Sequence, residues 1–206
     1  IRDRDVTGVQ TCALPICLSD ETEQLLETGG GIRHALPLFD TGSPILIHNV
    51  DIMSNTDLTA LYDFALQSQA DSVLLVSRRQ TRRYLIFDEE YILDGWINLA
   101  TGEVKSPYDS LLKLKETALP QQAADAIGQM GLRLLAFSGI HVVSPRIFPL
   151  LEAMPERFGI MDFYLKYCHQ CAFLGHVQDD LRLVDVGKVD TLNSLNRHPL
   201  FNQQQP

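Results

Sequence analysis

The sequence is poor in several features that would indicate a function class directly. No apolar run approaches the roughly 18 residues of a membrane-spanning helix, so no membrane span is predicted. Basic residues are outnumbered, with 17 Lys and Arg against 26 Asp and Glu, and the formal net charge is −9. This charge disfavours nonspecific nucleic-acid binding. A phosphate-bearing ligand must therefore be met by local basic groups or by a metal ion.

Cysteine is also scarce, with four residues in the chain. Cys12 and Cys17 lie in an N-terminal segment considered separately below, which leaves Cys168 and Cys171. With His169 these form C-H-Q-C, but no second Cys/His pair has the spacing of a four-ligand zinc site. We therefore expect this motif to pack at a helix end. Two reduced thiols and no export signal indicate a cytoplasmic protein, and nothing indicates an oligomeric state.

The N-terminal segment, residues 1–17, has neither helical nor strand periodicity. It lacks the basic start, apolar core and cleavage site of a signal peptide. Its string VTGVQTCALPI resembles a translated sequencing-adapter remnant. We therefore expect residues 1–17 to be non-native and poorly packed, with a poorly ordered native terminus as the alternative. Residues 18–206 are expected to form one partial domain, since 45% of the chain is hydrophobic.

Strand-like and helix-like segments alternate from Thr28 onward, which favours an α/β sheet. Buried strands are predicted at 44–48, 72–77, 132–143, 172–178 and 181–184, and short antiparallel strands at 83–88 and 91–98. Helices are predicted directly after the glycines at 29–31, and at 57–65, 145–151, 161–169 and 189–195. Residues 105–131 are weakly patterned, and we expect them to form an excursion or loop.

Two aspartates follow predicted strands. Asp51 comes after the strand at 44–48, and Asp185 comes directly after the strand at 181–184. In open α/β sheets, ligands bind outside the carboxyl ends of the strands. If the two strands are parallel neighbours in one sheet, both carboxylates can converge on one Mg²⁺ ion, which prefers oxygen ligands. The alternative is two ordinary surface aspartates at strand–loop junctions.

The glycine run Gly29-Gly30-Gly31 precedes a predicted helix. Such a run offers exposed backbone N–H groups and allows a ligand to approach the main chain closely. It matches neither the dinucleotide-binding fingerprint nor the P-loop, because Lys and Ser/Thr do not follow it. A plain turn is the alternative.

Four segments, taken in order, resemble the sugar-phosphate nucleotidyltransferase family. They are LLETGGGI at 25–32, IHNVDI at 47–52, FSGIHVVSP at 137–145 and VDVGK at 184–188. The similarity is strongest to the family's N-acetylmuramate 1-phosphate uridylyltransferases and mannose-1-phosphate guanylyltransferase-like members. It implies a Rossmann-like mixed, mostly parallel sheet flanked by helices, of the nucleotide-diphospho-sugar transferase type.

The resemblance also implies a reaction. In this family a sugar 1-phosphate oxygen attacks the α-phosphorus of a nucleoside triphosphate, and pyrophosphate leaves. By position in the matched motifs, Asp51 and Asp185 would be the catalytic pair and would hold Mg²⁺. No covalent nucleophile is needed, because such chemistry depends on positioning and on neutralising phosphate charge.

The remaining matched positions would bind the substrates. Thr28, Gly29 and Gly30 would bind the nucleotide, the two glycines approaching its base and ribose through their backbone. Asn49 and Gly139 would face the sugar or its phosphate. The implied partners are a nucleoside triphosphate and a sugar 1-phosphate, with Mg²⁺ as the cofactor.

The sequence also departs from the family pattern. The triphosphate loop G-x-G-x-R-x-x-P and the P-K-P and E-K-P motifs do not occur, and Leu183 stands where the family often has Trp. We therefore expect the chain to lack the family's N-terminal strand and loop and to be weakly active or inactive alone. A noncatalytic regulatory paralogue that binds nucleotide sugars is the alternative.

Other polar residues have weaker patterns. The arginines within 78–83 form a dense basic cluster, which either binds phosphate or forms a solvated strand end. His48 and His141 lie in apolar strands and are interpreted as hydrogen-bonded core groups rather than catalytic bases. Trp96 is interpreted as a packed strand aromatic rather than a platform for a sugar ring.

Overall fold

The computed structural model describes residues 16–40, 42–116 and 120–187. Its strands are β1 Ile45–His48, β2 Ile52–Ser54, β3 Ser72–Ser77, β4 Arg83–Phe87, β5 Leu93–Asn98, β6 Glu103–Lys105, β7 Arg133–Val143, β8 Phe173–Val177 and β9 Leu183–Asp185. Its α-helices are α1 Glu27–Ala35, α2 Leu58–Ser68, α3 Asp109–Leu112, α4 Pro120–Gln129, α5 Phe148–Glu152 and α6 Ile160–Tyr167. Short 3-10 turns lie at Leu36–Leu38, Lys113–Glu116 and Pro145–Ile147.

A seven-stranded mixed sheet carries the fold, in the order β6-β5-β4-β7-β3-β8, with β1 also paired to β7. The predicted class, a mixed α/β sheet with flanking helices, is confirmed. The expected predominance of parallel strands is not observed in the described sheet, where β3 and β8 form the one parallel pair. The reason is that β7 runs opposite to all three of its neighbours, and β4, β5 and β6 are joined by short turns that permit only antiparallel pairing.

Strand β3 shows why this sheet has an apolar core on both faces. All six of its residues are buried. Leu74 and Val76 belong to the core cluster that includes Phe163 of α6, while Val73 and Leu75 pack with Leu61 of α2. Alternate side chains of a strand point to opposite faces, so a strand covered by helices on both sides is apolar throughout.

The region 105–131 was expected to form an excursion or loop, and the described part of it is helical rather than a loop. The described part of it contains α3 and α4, and Leu111, Ala123 and Ile127 pack against Ile86 and Ile97 of the sheet. The helical signal is weak because α3 has only four residues. In α4, PQQAADAIGQ, alanine supplies most of the apolar positions and Ile127 is its one large apolar side chain.

The predicted strands at 44–48, 72–77, 83–88, 91–98, 132–143 and 172–178 are observed with boundaries that differ by a few residues, whereas β6 was not predicted. Helix α2 begins after Asp57, whose carboxylate accepts a hydrogen bond of 3.0 Å from the N–H of Ala60. Strand β2 was not predicted, because three residues are too few to show alternation. The predicted helix at 189–195 and residues 1–15 lie outside the described residues, and Ile16 and Cys17 are exposed. Among the described residues, no helix has the length and hydropathy required to cross a membrane.

Candidate active site

The turn between β1 and β2 brings Asp51 beside Asp185. Strand β2 pairs with β9 in a separate two-stranded antiparallel sheet, in which Ile52 lies opposite Asp185. The N–H of Val186 donates to the carbonyl oxygen of Asp51 over 2.7 Å. Asp51 therefore stands at the entry to β2 and Asp185 at the end of β9, one strand spacing apart.

The two carboxylates face the same point, which lies over Gly187. A β-carbon placed on Gly187 would be 3.1 Å from Oδ2 of Asp51 and 3.2 Å from Oδ1 of Asp185. Both aspartates are exposed, and the Gly187 N–H donates to Oδ1 of Asp185 over 3.0 Å. A glycine here leaves open the space between two oxygen donors, which any side chain would fill.

This donor set fits Mg²⁺. The ion prefers oxygen ligands and usually keeps several waters while one or two carboxylates and substrate phosphates complete its coordination. No group of three or more His, Cys, Asp or Glu within 16–40, 42–116 and 120–187 is placed to hold a metal. Asp51 and Asp185 would thus be the protein's contribution, with room left for phosphate oxygens.

The route by which the aspartates meet differs from the one expected. The sequence suggested two parallel neighbours in one sheet. Instead, Asp51 follows β1 of the large sheet, whereas Asp185 ends β9 of the small one. The unpredicted strand β2 makes the connection, because its antiparallel pairing with β9 sets the two residues side by side.

Asn49 and Gly139, which the resemblance assigned to the sugar or its phosphate, are in direct contact. The Asn49 N–H donates to the carbonyl oxygen of Gly139 over 3.1 Å. Gly139 has φ +82°, and a β-carbon on it would be 2.8 Å from Nδ2 of Asn49. It lies where the β3–β7 register shifts between Leu74 and Val76, so this bulge directs the main chain of β7 toward Asn49.

The glycine run is arranged differently from the expectation. Helix α1 begins at Glu27, so Gly29 and Gly30 lie in its first turn rather than before it. Both N–H groups donate to the carbonyl oxygen of Phe158 over 3.0 Å, so they are not the free N–H groups that were expected. A β-carbon on Gly29 would be 2.3 Å from the ring of Phe158, and one on Gly30 would be 2.4 Å from the carbonyl oxygen of Glu156. Close packing of the loop at 156–158 explains why glycine is needed at both positions.

A cavity of about 370 Å³ lies between α1, β1, β7 and α6. Thr28 and Asn49, which the sequence assigned to the nucleotide and the sugar phosphate, both line it. Thr28 is exposed, and its Oγ1 accepts a hydrogen bond of 3.1 Å from the N–H of Ile160. Because Asn49 is two residues before Asp51, one turn connects this cavity to the acidic pair.

His141 also lines this cavity, which the sequence analysis missed. The imidazole is 2% exposed, and Nδ1 lies 2.6 Å from the Tyr164 hydroxyl. Burial lowers the pKa of His141 to about 3. The interpretation as a hydrogen-bonded buried group is confirmed. Its place on the strand was the available signal, since His141 lies two residues beyond Gly139 on β7.

The basic cluster and Trp96 border a second cavity, of about 240 Å³, which shares Phe137 and Met161 with the first. Arg79 and Arg83 line it together with Trp96. The guanidinium of Arg79 donates to the carbonyl oxygen of Phe137 over 3.0 Å. The structure therefore places part of the arginine cluster next to the site.

Two other predicted groups serve the core or the local main chain. Cys168 is buried in the main core cluster, and burial raises the pKa of its thiol to about 11, which keeps it protonated. This confirms packing at a helix end for the Cys168–Cys171 motif. His48 is half-buried, and its Nδ1 lies 2.7 Å from the carbonyl oxygen of Asn49.

Comparison with known proteins found one curated relative with substantial identity. Over 151 residues the chain is 47% identical to an N-acetylmuramate alpha-1-phosphate uridylyltransferase of Caulobacter vibrioides. The match covers 71% of this chain and 50% of the relative, so the chain spans about half the length of that protein. No family model matches the sequence.

Solved structures share the fold. A UDP-glucose pyrophosphorylase from Acinetobacter baumanii matches with a TM-score of 0.56 and 14% identity, over 86% of this chain and 59% of that chain. An apo-UDP-glucose pyrophosphorylase matches with a TM-score of 0.52 and 14% identity, over 82% of this chain and 58% of that chain. At 14% identity, this structural similarity shows a common fold only. The chemistry must be argued from the residues of the site.

Proposed function

Because the chain belongs to the sugar-phosphate nucleotidyltransferase family, we propose that the protein transfers a nucleotidyl group from a nucleoside triphosphate to a sugar 1-phosphate. In this reaction a phosphate oxygen of the sugar 1-phosphate bonds to the α-phosphorus. The bond from that phosphorus to the bridging oxygen breaks, and pyrophosphate leaves with the electron pair. The product is a nucleotide sugar.

The observation that carries this proposal is the convergence of Asp51 and Asp185 over Gly187. A protein with net charge −9 repels a triphosphate and a sugar phosphate, so the site needs a local cation to bring them together. The two carboxylates would hold Mg²⁺, which when bound supplies positive charge against the phosphate oxygens. Each carboxylate also fixes the position of that charge relative to the cavity.

The remaining residues would position the substrates. Thr28 lies on the α1 side of the cavity, which we assign to the nucleotide. Asn49 lies on the opposite side against Gly139, where its amide can donate to the sugar phosphate. Holding both substrates in one orientation removes much of the entropic barrier of a two-substrate reaction. The assignment of Gly29 and Gly30 to the base rests on the resemblance alone, because their N–H groups donate to the carbonyl oxygen of Phe158.

The relative indicates which substrates to try first. We propose uridylyl transfer to N-acetylmuramate 1-phosphate as the first pair, and guanylyl transfer to mannose 1-phosphate as the second. The first would make the protein a cytoplasmic enzyme that supplies cell-wall precursors. The identity of the base depends in part on the triphosphate loop, which the sequence does not contain.

The test is Mg²⁺-dependent release of pyrophosphate over a panel of nucleoside triphosphates and sugar 1-phosphates. The chain would be compared with the same chain carrying an upstream G-x-G-x-R-x-x-P segment, which we expect to increase the rate strongly. In the extended protein, Asp51→Asn should abolish release, because it removes a charged ligand at nearly constant volume. Asp63→Asn, on the exposed surface of α2, is the matched control and should be fully active.

Two results would contradict the proposal. Full activity of Asp51→Asn would show that this carboxylate holds no essential ion. Tight binding of a nucleotide sugar by the extended protein, without release of pyrophosphate from any substrate pair, would instead favour the noncatalytic regulatory paralogue.

A further inference from the structure

His141 is a buried polar group with one free functional atom. Its ring lines the cavity that holds Thr28 and Asn49, and 2% of the residue is exposed. Nδ1 lies 2.6 Å from the hydroxyl of Tyr164, whereas Nε2 has no hydrogen-bond partner in the part of the chain that the structure describes. The free ring nitrogen of a buried side chain that lines a cavity is available to a ligand.

The proton positions in this network follow from the available donors. The Ser72 hydroxyl donates to the carbonyl oxygen of Val142 over 2.8 Å, which uses its one proton. The 2.9 Å contact between Ser72 and Tyr164 therefore needs the proton of Tyr164. With that proton used, the contact between Tyr164 and His141 needs a proton on Nδ1. Every hydrogen bond is then satisfied by one tautomer of His141, which carries its proton on Nδ1.

This tautomer stays neutral in the folded protein. Burial is the cause of the lowered pKa of His141, which lies at about 3. Burial also raises the pKa of Tyr164, so the hydroxyl keeps its proton. A neutral imidazole protonated at Nδ1 presents a lone pair on Nε2, and such an atom accepts hydrogen bonds but cannot donate them.

We propose that Nε2 of His141 accepts a hydrogen bond from a hydroxyl or amide N–H of the sugar, which makes His141 a residue that determines sugar specificity. This inference rests on the proposed function. A phosphate oxygen has no proton to donate and is repelled by the lone pair, so the sugar ring lies against His141 and its phosphate lies toward Asn49. Tyr164 and Ser72 are positioning residues that hold the tautomer.

The role of His141 should be visible when a sugar is compared with an analogue that lacks the donating hydroxyl or amide group. A buried acceptor that loses its partner incurs a desolvation cost, so a site of this kind discriminates against sugars without the donor. We expect removal of that one sugar group to weaken binding about tenfold or more in the unsubstituted protein. In His141→Phe, which keeps a ring and loses the acceptor, the same removal should have little effect.

Two measurements test this proposal on the chain itself. The first is calorimetric titration with N-acetylmuramate 1-phosphate and with glucose, galactose, mannose and N-acetylglucosamine 1-phosphates. Selectivity is measured as the Kd of the weakest-binding sugar phosphate divided by the Kd of the tightest-binding one. This ratio should fall about tenfold in His141→Phe and be partly restored in His141→Gln, whose amide oxygen is an acceptor. His176→Phe is the matched control. His176 lies in β8, packs against Phe64 of α2 and does not line the cavity, so its loss should leave the ratio unchanged.

The second measurement needs no substitution, so it remains valid if a variant fails to fold. In a ¹⁵N spectrum of the imidazole nitrogens, the free protein should show His141 protonated at Nδ1. Addition of the tightest-binding sugar 1-phosphate should shift the Nε2 resonance and leave Nδ1 nearly unchanged. In Tyr164→Phe the tautomer should no longer be unique.

The possible failures are distinguishable. Unchanged sugar selectivity in folded His141→Phe, or an Nε2 resonance that does not respond to bound sugar, would overturn the role of His141 alone. Sugar binding with this response but no pyrophosphate release in the extended protein would contradict the proposed function and support the role of His141. A folded extended protein that binds no sugar 1-phosphate would overturn both.

Discussion

Gly139 combines a left-handed backbone with a close contact, and the two effects can be separated. Its φ is +82°, and a β-carbon on it would be 2.8 Å from Nδ2 of Asn49. Gly102 has φ +72° with nothing within 4 Å of the same position. Both glycines therefore avoid the strain of a side chain at positive φ, and Gly139 alone also accommodates a neighbouring side chain.

We expect Gly139→Ala and Gly102→Ala each to lower the free energy of unfolding by about 1–3 kcal/mol because of this backbone strain. In Gly139→Ala the new methyl should also displace the Asn49 amide and weaken binding of a sugar 1-phosphate. Thermal unfolding and calorimetric titration measure the two effects. Equal sugar affinity in the two variants would show that the position of Asn49 is unimportant.

The buried imidazole of His141 predicts a pH-dependent stability. Its pKa is about 3 in the folded protein and about 6.5 when unfolded, so between these values the unfolded chain binds the proton. The unfolding free energy should therefore be highest above pH 6.5 and fall by about 1.4 kcal/mol per pH unit below it. Tyr164, whose pKa is raised, stays neutral in this range. Glu21 and Glu27 are ionisable residues that line the same cavity as His141.

The measurement is chemical denaturation between pH 7 and pH 4.5 of the unsubstituted protein and of His141→Phe. The phenylalanine variant lacks the titrating group, so the difference between the two unfolding free energies isolates the histidine. Parallel pH profiles would show that His141 is not held neutral by burial.

Among the structural elements, the contact between α1 and the loop at 156–158 depends on glycine. Gly29 and Gly30 donate to the carbonyl oxygen of Phe158, and Leu26 accepts the Phe158 N–H over 3.2 Å. Gly31 is different: a β-carbon there would be 2.6 Å from Oε1 of Glu21, the end of a flexible side chain. The three glycines look equivalent in the sequence but face different neighbours.

Gly30→Ala should lower the unfolding free energy by about 1–3 kcal/mol, because the new methyl would collide with the carbonyl oxygen of Glu156 and separate α1 from the loop. Gly31→Ala is the control. It should change the unfolding free energy by less than about 1 kcal/mol, since alanine favours a helix and the Glu21 carboxylate, which accepts the Leu26 N–H over 3.0 Å, is the end of a flexible side chain that can shift. Equal destabilisation in the two variants, measured by denaturation, would contradict this account of the motif.

At the scale of the whole molecule, β1 is one of the strands of the large sheet that pair along a single edge, as the edge strand β6 also does. Strand β1 pairs with β7, and no described residue pairs with its other edge. The resemblance suggests that an upstream strand belongs there, and an open edge beside apolar helix faces favours aggregation. Within the proposed fold, this strand and its loop would also bring the triphosphate to the acidic pair.

We expect the chain extended with that upstream segment to be more soluble and to show slower amide hydrogen exchange at Ile45–His48. Slower exchange would follow because a second partner protects the remaining N–H groups of β1. The exchange of β8 amides, on the far side of the sheet, provides an internal comparison. Unchanged exchange throughout β1 would place the upstream segment elsewhere.

Much of the architecture is local enough to be predicted from the sequence. Apolar runs such as 72–77 and a capping residue such as Asp57 determine their elements through nearby periodicity and hydrogen bonding. The family was likewise indicated by four short motifs. The helices within 105–131 were not predicted because they have few large apolar residues. Their side chains join the core only through contact with Ile86 and Ile97 of the sheet.

The site itself depended on tertiary structure. The sequence supplied Asp51 and Asp185, but only the antiparallel pairing of β2 with β9 sets them beside each other over Gly187. Likewise, the pattern of β7 placed His141 in an apolar strand, whereas its hydrogen bond to Tyr164 engages Nδ1 and leaves Nε2 as the free ring nitrogen of a residue that lines the cavity. Local patterns determine which residues lie on each strand. The pairing of distant segments decides which side chains meet, because contacts over long sequence separations leave no periodic trace in the chain.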